Sequence, residues 1–445
     1  MSEQIFKPNS SGVNRRDFLK TSSIVTGGAL VSALSIERSA YGAGTDEPIG
    51  KKEIKIALVG CGGRGSGAAS QALETYNQGP IKLVAMADAF KDRLESSLEN
   101  LKKQAPDRVD VPVERRFVGF EGYKNAIALA DVVILATPPG FRSYQFEEAV
   151  KQGKHVFMEK PVATDAPGVR RVLAAAQIAK QKNLKVGVGL QRHHHAGYIE
   201  TLKRLHDGEI GDIVAMQCYW NDGGVWVKPR QPGQTEMEYQ MRNWYYFNWL
   251  CGDHINEQHI HNLDVINWVK NGYPVRAHGM GGRQVRTAIE YGEIYDHHAV
   301  VYEYADKSQC ASQCRHIRGA WSSVSEHVVG TKGRADVSRN EIKGASTWRF
   351  KGEIKDAYQQ EHDDLFNAIR NNLPYNEAEN GAKSTLTAIM GRMATYSGQV
   401  IEWDQALNSK IDIMPENFNW DSKPKSLPDA NGAYKIAVPG TTIAV

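Results

Sequence analysis

Ile54-Lys55-Ile56-Ala57-Leu58-Val59-Gly60-Cys61-Gly62-Gly63-Arg64-Gly65 is the stretch whose reading decides the fold. Its first six residues form a β-branched, apolar run that enters a glycine-rich turn, and the residues after Gly65 read as a helix through about Thr75. Gly60 permits the tight turn, Gly62 keeps a side chain out of the space a pyrophosphate needs, and Gly65 lets the helix pack closely on the strand. The helix start, at Gly63 and Arg64, offers N–H groups and a positive dipole end to phosphates. This is the pattern of a dinucleotide-binding Rossmann domain.

The flanking sequence extends that pattern. A second apolar strand, Ile81 to Ala87, ends at Asp88, 28 residues after Gly60, about where an acidic ligand of the adenosine ribose is expected. A carboxylate there favours NAD over its 2′-phosphorylated form by charge repulsion. The competing reading of Asp88 is a helix N-cap for the segment that begins near Phe90. Another strand, Asp131 to Ala136, ends in Thr137-Pro138-Pro139, which would line the nicotinamide side. A helix from Phe141 to Lys151 and a strand from Lys154 to Met158 lead to Glu159-Lys160-Pro161. A lysine at a strand's carboxyl end sits where ligands bind; the plain alternative is a solvated surface charge. The dinucleotide-binding candidates are therefore Gly60, Gly62, Gly63, Arg64, Gly65, Asp88, Thr137, Pro138, Glu159 and Lys160.

The glycine turn, Thr137-Pro138, Gly153-Lys154-His155-Val156 and Glu159-Lys160-Pro161 together resemble the glucose-fructose oxidoreductase and inositol dehydrogenase (Gfo/Idh/MocA) family, and the likeness runs from Ile54 to roughly Ala406. The resemblance implies an α/β protein with an N-terminal Rossmann domain. It also implies a C-terminal α/β domain whose open, mostly antiparallel sheet mediates homo-oligomerisation. It implies that Lys160 positions and polarises the reacting carbinol, and that a helix of the second domain supplies the acid/base histidine. Two positions depart from the family. Arg142 stands where the family often has a histidine, five residues after the threonine of the Thr-Pro motif. Glu257 stands for the usual aspartate four residues before the catalytic histidine, here His261.

The second half carries its own chemistry. After a helix from Pro167 to Gln181 and a strand from Val186 to Leu190 comes Gln191-Arg192-His193-His194-His195, then a helix through Leu205. Arg192 and His194 are candidate contacts for a polyhydroxylated substrate or the nicotinamide ribose, while packing histidines at a domain junction are the alternative. From Asp253 to Trp268 a helical reading puts Glu257, His261, Asp264 and Trp268 on one face, with Glu257 placed to orient or tune His261. A histidine with an unperturbed pKa near 6.5 can take a proton from a sugar hydroxyl as hydride leaves, and Lys160 would stabilise the alkoxide. Lys160, His261 and Glu257 are thus the catalytic candidates, and Arg192, His194 and Asp264 the substrate candidates. A metal held by His254, Glu257 and His261 is conceivable at this spacing, but the nicotinamide already supplies redox chemistry, so no metal is expected.

Trp220, Trp226, Trp244, Tyr245, Tyr246 and Trp249 cluster ahead of this segment, as carbohydrate-facing aromatics or as core. Further on, His298 to Tyr304 and Ser323 to Val329 read as strands and Glu361 to Asn371 as a helix; 411–445 reads as a surface-crossing or partner-clasping tail.

Asn14-Arg15-Arg16-Asp17-Phe18-Leu19-Lys20, an apolar stretch from Ile24 to Ile36 and small residues around Ala40 to Ala43 read as a twin-arginine export signal, residues 1–43. That stretch is too short and too rich in Ser, Thr and Gly for a permanent membrane anchor. Residues 44–53 would be a linker, 54–190 the dinucleotide domain and 191–410 the substrate and oligomerisation domain. Such export moves folded proteins into the periplasm, where free dinucleotide is scarce, so the cofactor would travel inside the enzyme.

Of the formal charge of +3, two units belong to residues 1–43, so the folded part is near neutral and no nucleic-acid partner is implied. The five cysteines lack CxxC spacing, and Cys61 reads as a small packing residue. The leading functional reading is reversible hydride transfer between bound nicotinamide and a secondary hydroxyl of a sugar, sugar derivative or cyclitol. The alternatives are a redox-assisted glycosidase or lyase and a non-catalytic dinucleotide-bound sensor.

Overall fold

The computed structural model describes residues 50–445; the export-signal reading at 1–43 lies outside the described residues. The residues that start the sequence argument form β1 (Ile54–Val59), with every side chain buried except Lys55. It sits inside a six-stranded sheet with β2 (Ile81–Asp88), β3 (Arg116–Val118), β4 (Val132–Leu135), β5 (His155–Met158) and β6 (Val186–Val188), in the order β3-β2-β1-β4-β5-β6. All its neighbouring pairs are parallel. Such strands are covered on both faces, which explains why their sequences read as unbroken apolar runs. The strand order reverses between β1 and β4, and the crevice at that switch point is where open parallel sheets bind ligands.

Two glycines are fixed by the turn that feeds this crevice. Gly60 adopts φ +93°, and a β-carbon there would lie 2.5 Å from the Thr137 amide nitrogen. A β-carbon on Gly65 would fall 1.9 Å from the Gly60 carbonyl oxygen. Any larger residue would push the helix Gly63–Glu74 off β1.

The second sheet has nine strands. They are β7 (Ile213–Asp222), β8 (Arg276–Gly282), β9 (His297–Glu303), β10 (Gln309–His316), β11 (Ser323–Gly330), β12 (Gly333–Asp336), β13 (Glu341–Lys343), β14 (Thr347–Arg349) and β15 (Ile401–Glu402). The order is β14-β13-β12-β11-β7-β10-β9-β8-β15. Only the β7–β10 pair is parallel, which gives the mostly antiparallel sheet expected. On β10 buried and outward residues alternate, as a sheet with one covered face requires.

The helix Ala378–Ser397, absent from the sequence reading, packs between the two sheets' layers and is buried along most of its length. Its side chains are mostly small, and all-round burial leaves no polar stripe to reveal a helical period. A β-carbon on Gly391 would sit 2.0 Å from the Tyr302 hydroxyl, so this glycine lets the helix lie against β9. The helix Ala357–Asn371 returns to the first sheet, where Leu365, Phe366 and Ile369 join the core formed by Ile54, Ile56 and Leu58. All five cysteines are free and buried. Among the described residues no helix is long and apolar enough to cross a membrane.

Candidate active site

A cavity of about 530 Å3 opens along the carboxyl edge of β1, β2 and β4. Gly60, Gly62, Gly63, Arg64, Gly65, Asp88, Thr137 and Pro138 line it, whereas Glu159 and Lys160 lie outside its lining. Gly62 caps the helix Gly63–Glu74 in an extended conformation with no side-chain hydrogen bond, leaving the first amides without a capping side chain. A β-carbon on Gly62 would meet nothing within 4 Å, so its missing side chain is open cavity. An uncapped helix start beside empty space fits a pyrophosphate.

Asp88 faces this turn. Its Oδ2 accepts from the Cys61 amide at 2.6 Å and its Oδ1 from the Phe90 amide at 2.8 Å. Phe90, not Asp88, is the N-cap residue of the helix Lys91–Gln104. Cys61 Sγ contacts the Ala87 carbonyl, and burial raises its thiol well above the usual value, which fits a packing residue.

The far wall of the cavity comes from the second domain, through Trp226, Lys228, Met241, Arg242 and Trp244. Arg242 straddles Asp92 with two contacts of 3.3 Å and stacks 4.0 Å above the Phe90 ring, so this wall is tied to the dinucleotide domain. Trp226 and Trp244 meet edge to face, 5.8 Å apart.

Lys160, at the end of β5, reaches the second domain. Its ammonium donates to the Glu257 backbone carbonyl at 2.5 Å and lies 3.3 Å from Glu257 Oε1. Both side chains are mostly buried. Burial raises the Glu257 carboxyl, and Lys160 and then Arg142 oppose that rise. Glu257 therefore engages Lys160, and no hydrogen bond joins it to His261. The helical-wheel reading fails here for a local reason. The chain forms one short helix, His254–Glu257, and restarts at Ile260–Lys270, with the His259 amide bonded back to His254. The break removes the register that would have stacked Glu257 over His261.

His261 lies under the Trp220 ring at 5.9 Å, nearly parallel to it. It is 6% exposed, its Nδ1 is buried without a partner, and neither ring nitrogen is hydrogen-bonded among the described residues. Burial holds its pKa well below the usual histidine value, and the charges of Lys160, Arg192 and Arg64 push the same way. The imidazole is neutral at pH 7. The indole N–H of Trp220, whose ring stacks on His261, is also buried without a partner, as is the hydroxyl of Tyr245, within electrostatic reach of Glu257. A buried donor left unpaired costs about 1–3 kcal/mol. In the sequence both residues stand out only as members of an aromatic cluster.

Arg142, the departure from the family pattern, is buried and donates to the backbone carbonyls of Thr137 and Pro161. Burial lowers its pKa to about 10, against Glu159 and Glu257. It ties together the two loops that carry Thr137 and Lys160. Arg64 pairs with Glu159 and, at 3.2 Å, with Glu361.

The substrate candidates are each engaged within the protein. Arg192 pairs with Glu326 on β11, which also accepts from Asn262 at 2.5 Å. His194 lies between Asp364 at 2.6 Å and Glu377 at 3.2 Å; burial opposes its charge, but these carboxylates win and raise it to about 10. Asp264 accepts from Ser384 at 2.7 Å and Asn380 at 3.1 Å and pairs with His193 at 2.7 Å. Of the three, Arg192 is close enough to act electrostatically on His261. His254 of the conceivable metal set turns away to Asp253, 2.7 Å from its Nδ1.

Residues 54–190 match the oxidoreductase family with an NAD-binding Rossmann fold, and residues 198–336 match the Gfo/Idh/MocA C-terminal domain. Inositol 2-dehydrogenase of Agrobacterium fabrum is 28% identical over 254 residues, 57% of this chain and 64% of that protein. The inositol 2-dehydrogenase/D-chiro-inositol 3-dehydrogenase of Shouchella clausii is 26% identical over 44% of this chain and 54% of its own length. The match thus spans less than two thirds of these relatives. Among solved structures, scyllo-inositol dehydrogenase of Lactobacillus casei with NAD(H) and scyllo-inositol superposes with a TM-score of 0.59 at 22% identity, over 79% of this chain and all of that one. Aldose-aldose oxidoreductase of Caulobacter crescentus gives a TM-score of 0.61 at 17% identity, over 79% and 100%. At these identities the structures establish the shared fold. The two family matches, one to each domain, show that the chain belongs to the Gfo/Idh/MocA family of oxidoreductases.

Proposed function

We propose that this protein catalyses reversible hydride transfer between NAD and a secondary hydroxyl of a sugar, sugar derivative or cyclitol, and that it is exported by the twin-arginine route to the periplasm. The observation that carries the reaction is a neutral His261 with no hydrogen-bond partner, under the electrostatic influence of Lys160, with the orphaned indole N–H of Trp220 on the ring stacked against it. Nicotinamide, when bound, accepts or returns the hydride. The glycine turn and the start of the helix Gly63–Glu74 would hold its pyrophosphate, and Asp88 the adenosine ribose, where its carboxylate disfavours a 2′-phosphate. His261 takes the hydroxyl proton, and the Lys160 ammonium stabilises the resulting negative oxygen. Glu257 fixes the Lys160 ammonium through its carbonyl and carboxylate. The cations that keep His261 unprotonated also favour an alkoxide beside it. The inositol dehydrogenases among the relatives support a cyclitol or sugar as substrate.

Single-turnover reduction of bound cofactor by a panel of sugars and cyclitols measures the chemical step. Lys160→Met and His261→Ala should each slow it about 10² to 10⁴-fold, and Glu257→Gln should cost less; a wild-type rate in His261→Ala would remove the assigned base. The second-domain wall should slow cofactor exchange. Arg242→Ala removes an ion pair and a ring contact worth together about 1–2 kcal/mol, so NAD(H) should dissociate about tenfold faster. An unchanged off-rate, followed by cofactor fluorescence, would show that this wall does not retain it. Replacing Arg15 and Arg16 by lysine should leave the protein in the cytoplasm when cells are fractionated, and unchanged export would exclude the twin-arginine route.

A further inference from the structure

A second cavity, of about 570 Å3, lies between the helix Ala378–Ser397, the segment Asn248–Trp249 and the C-terminal tail. None of its lining residues lines the dinucleotide cavity. Ile411, Ile413, Met393 and Val438 give it apolar walls. Arg392 also lines it. That residue is 7% exposed, its Nη2 donates to the Thr164 carbonyl at 2.7 Å, and its Nη1 is buried with no partner. No ion pair of Arg392 occurs among the described residues.

The carboxylates of the cavity are already supplied with donors. Asp165 accepts from the Gly168 amide at 2.8 Å and the Ile413 amide at 3.1 Å. Glu293 accepts from the Asn248 amide at 2.8 Å and from the Ser426 hydroxyl. Burial raises both carboxyls above their usual values, and the Arg392 charge opposes that rise in each without forming a hydrogen bond to either. The unmet group is thus a guanidinium N–H, and Lys425 and Lys435 add two further positive charges to the lining, the former 3.5 Å from Asp412. A charged donor buried without an acceptor is costly, and a carboxylate is the planar acceptor that guanidinium geometry favours.

We propose that this cavity binds a small organic acid, a carboxylate carried on an apolar body, with the carboxylate on the Arg392 guanidinium and the body against Ile411, Ile413 and Met393. The volume suits such a molecule. The site is separate from the dehydrogenase reading and stands or falls without it.

Calorimetric titration of the full-length, cofactor-containing protein tests this with benzoate and octanoate, their neutral amides, and inorganic phosphate. At least one acid should bind ten or more times tighter than both its amide and phosphate. Arg392→Gln should weaken that acid at least tenfold while cofactor content is unchanged. Because that substitution also removes the bond to Thr164, Ile411→Trp provides a second variant that fills the cavity and keeps the guanidinium; it should abolish binding. The proposal is overturned if neither acid binds, if amide or phosphate binds as tightly, or if Ile411→Trp leaves acid binding intact.

Discussion

The Lys160 ammonium, held at 2.5 Å by the Glu257 carbonyl, joins the end of a strand in one domain to a short helix in the other. Around this contact sit buried carboxyls and several cations. Arg142 clamps the loops after β4 and β5, Arg64 pairs with Glu159, and Arg192 pairs with Glu326. The electrostatic result converges on His261, which is buried, neutral and without a hydrogen-bond partner among the described residues. Removing the charge of Lys160, Arg192 or Arg64 changes the field at the imidazole, because interactions in a desolvated site are weakly screened.

The parts of the fold that were legible in sequence are those set by hard steric limits. Gly60 and Gly65 allow no side chain, and the buried parallel strands allow no polar residue except at their ends. The acidic residue at the end of β2 followed from the same geometry. What stayed hidden depends on partners far away in the chain. Arg192, His194 and Asp264 were recognisable by type, but Glu326, Asp364, Glu377, Ser384 and Asn380, which occupy them, come from elements 100 or more residues downstream.

Periodicity misled where the backbone departs from a regular helix. The stretch from Asp253 to Trp268 reads as one helix because its residue types suit one, yet it breaks after Glu257. The break turns Glu257 toward Lys160 and leaves His261 without an orienting carboxylate. The opposite failure occurs at Ala378–Ser397, where burial on every side leaves no amphipathic signature, although this helix underlies much of the second domain.

The central claim is that His261 is held neutral by burial and by the Lys160 charge. Both effects disfavour the protonated ring, so its folded pKa lies below the unfolded value and a proton binds only at more acid pH. An NMR titration of histidine-labelled protein, with the His261 signal assigned by its loss in His261→Gln, measures this directly. The account predicts no midpoint for His261 between about pH 6 and 8, and an upward shift of the midpoint in Lys160→Met. A midpoint near 6.5 in the wild type, unmoved by Lys160→Met, would contradict it.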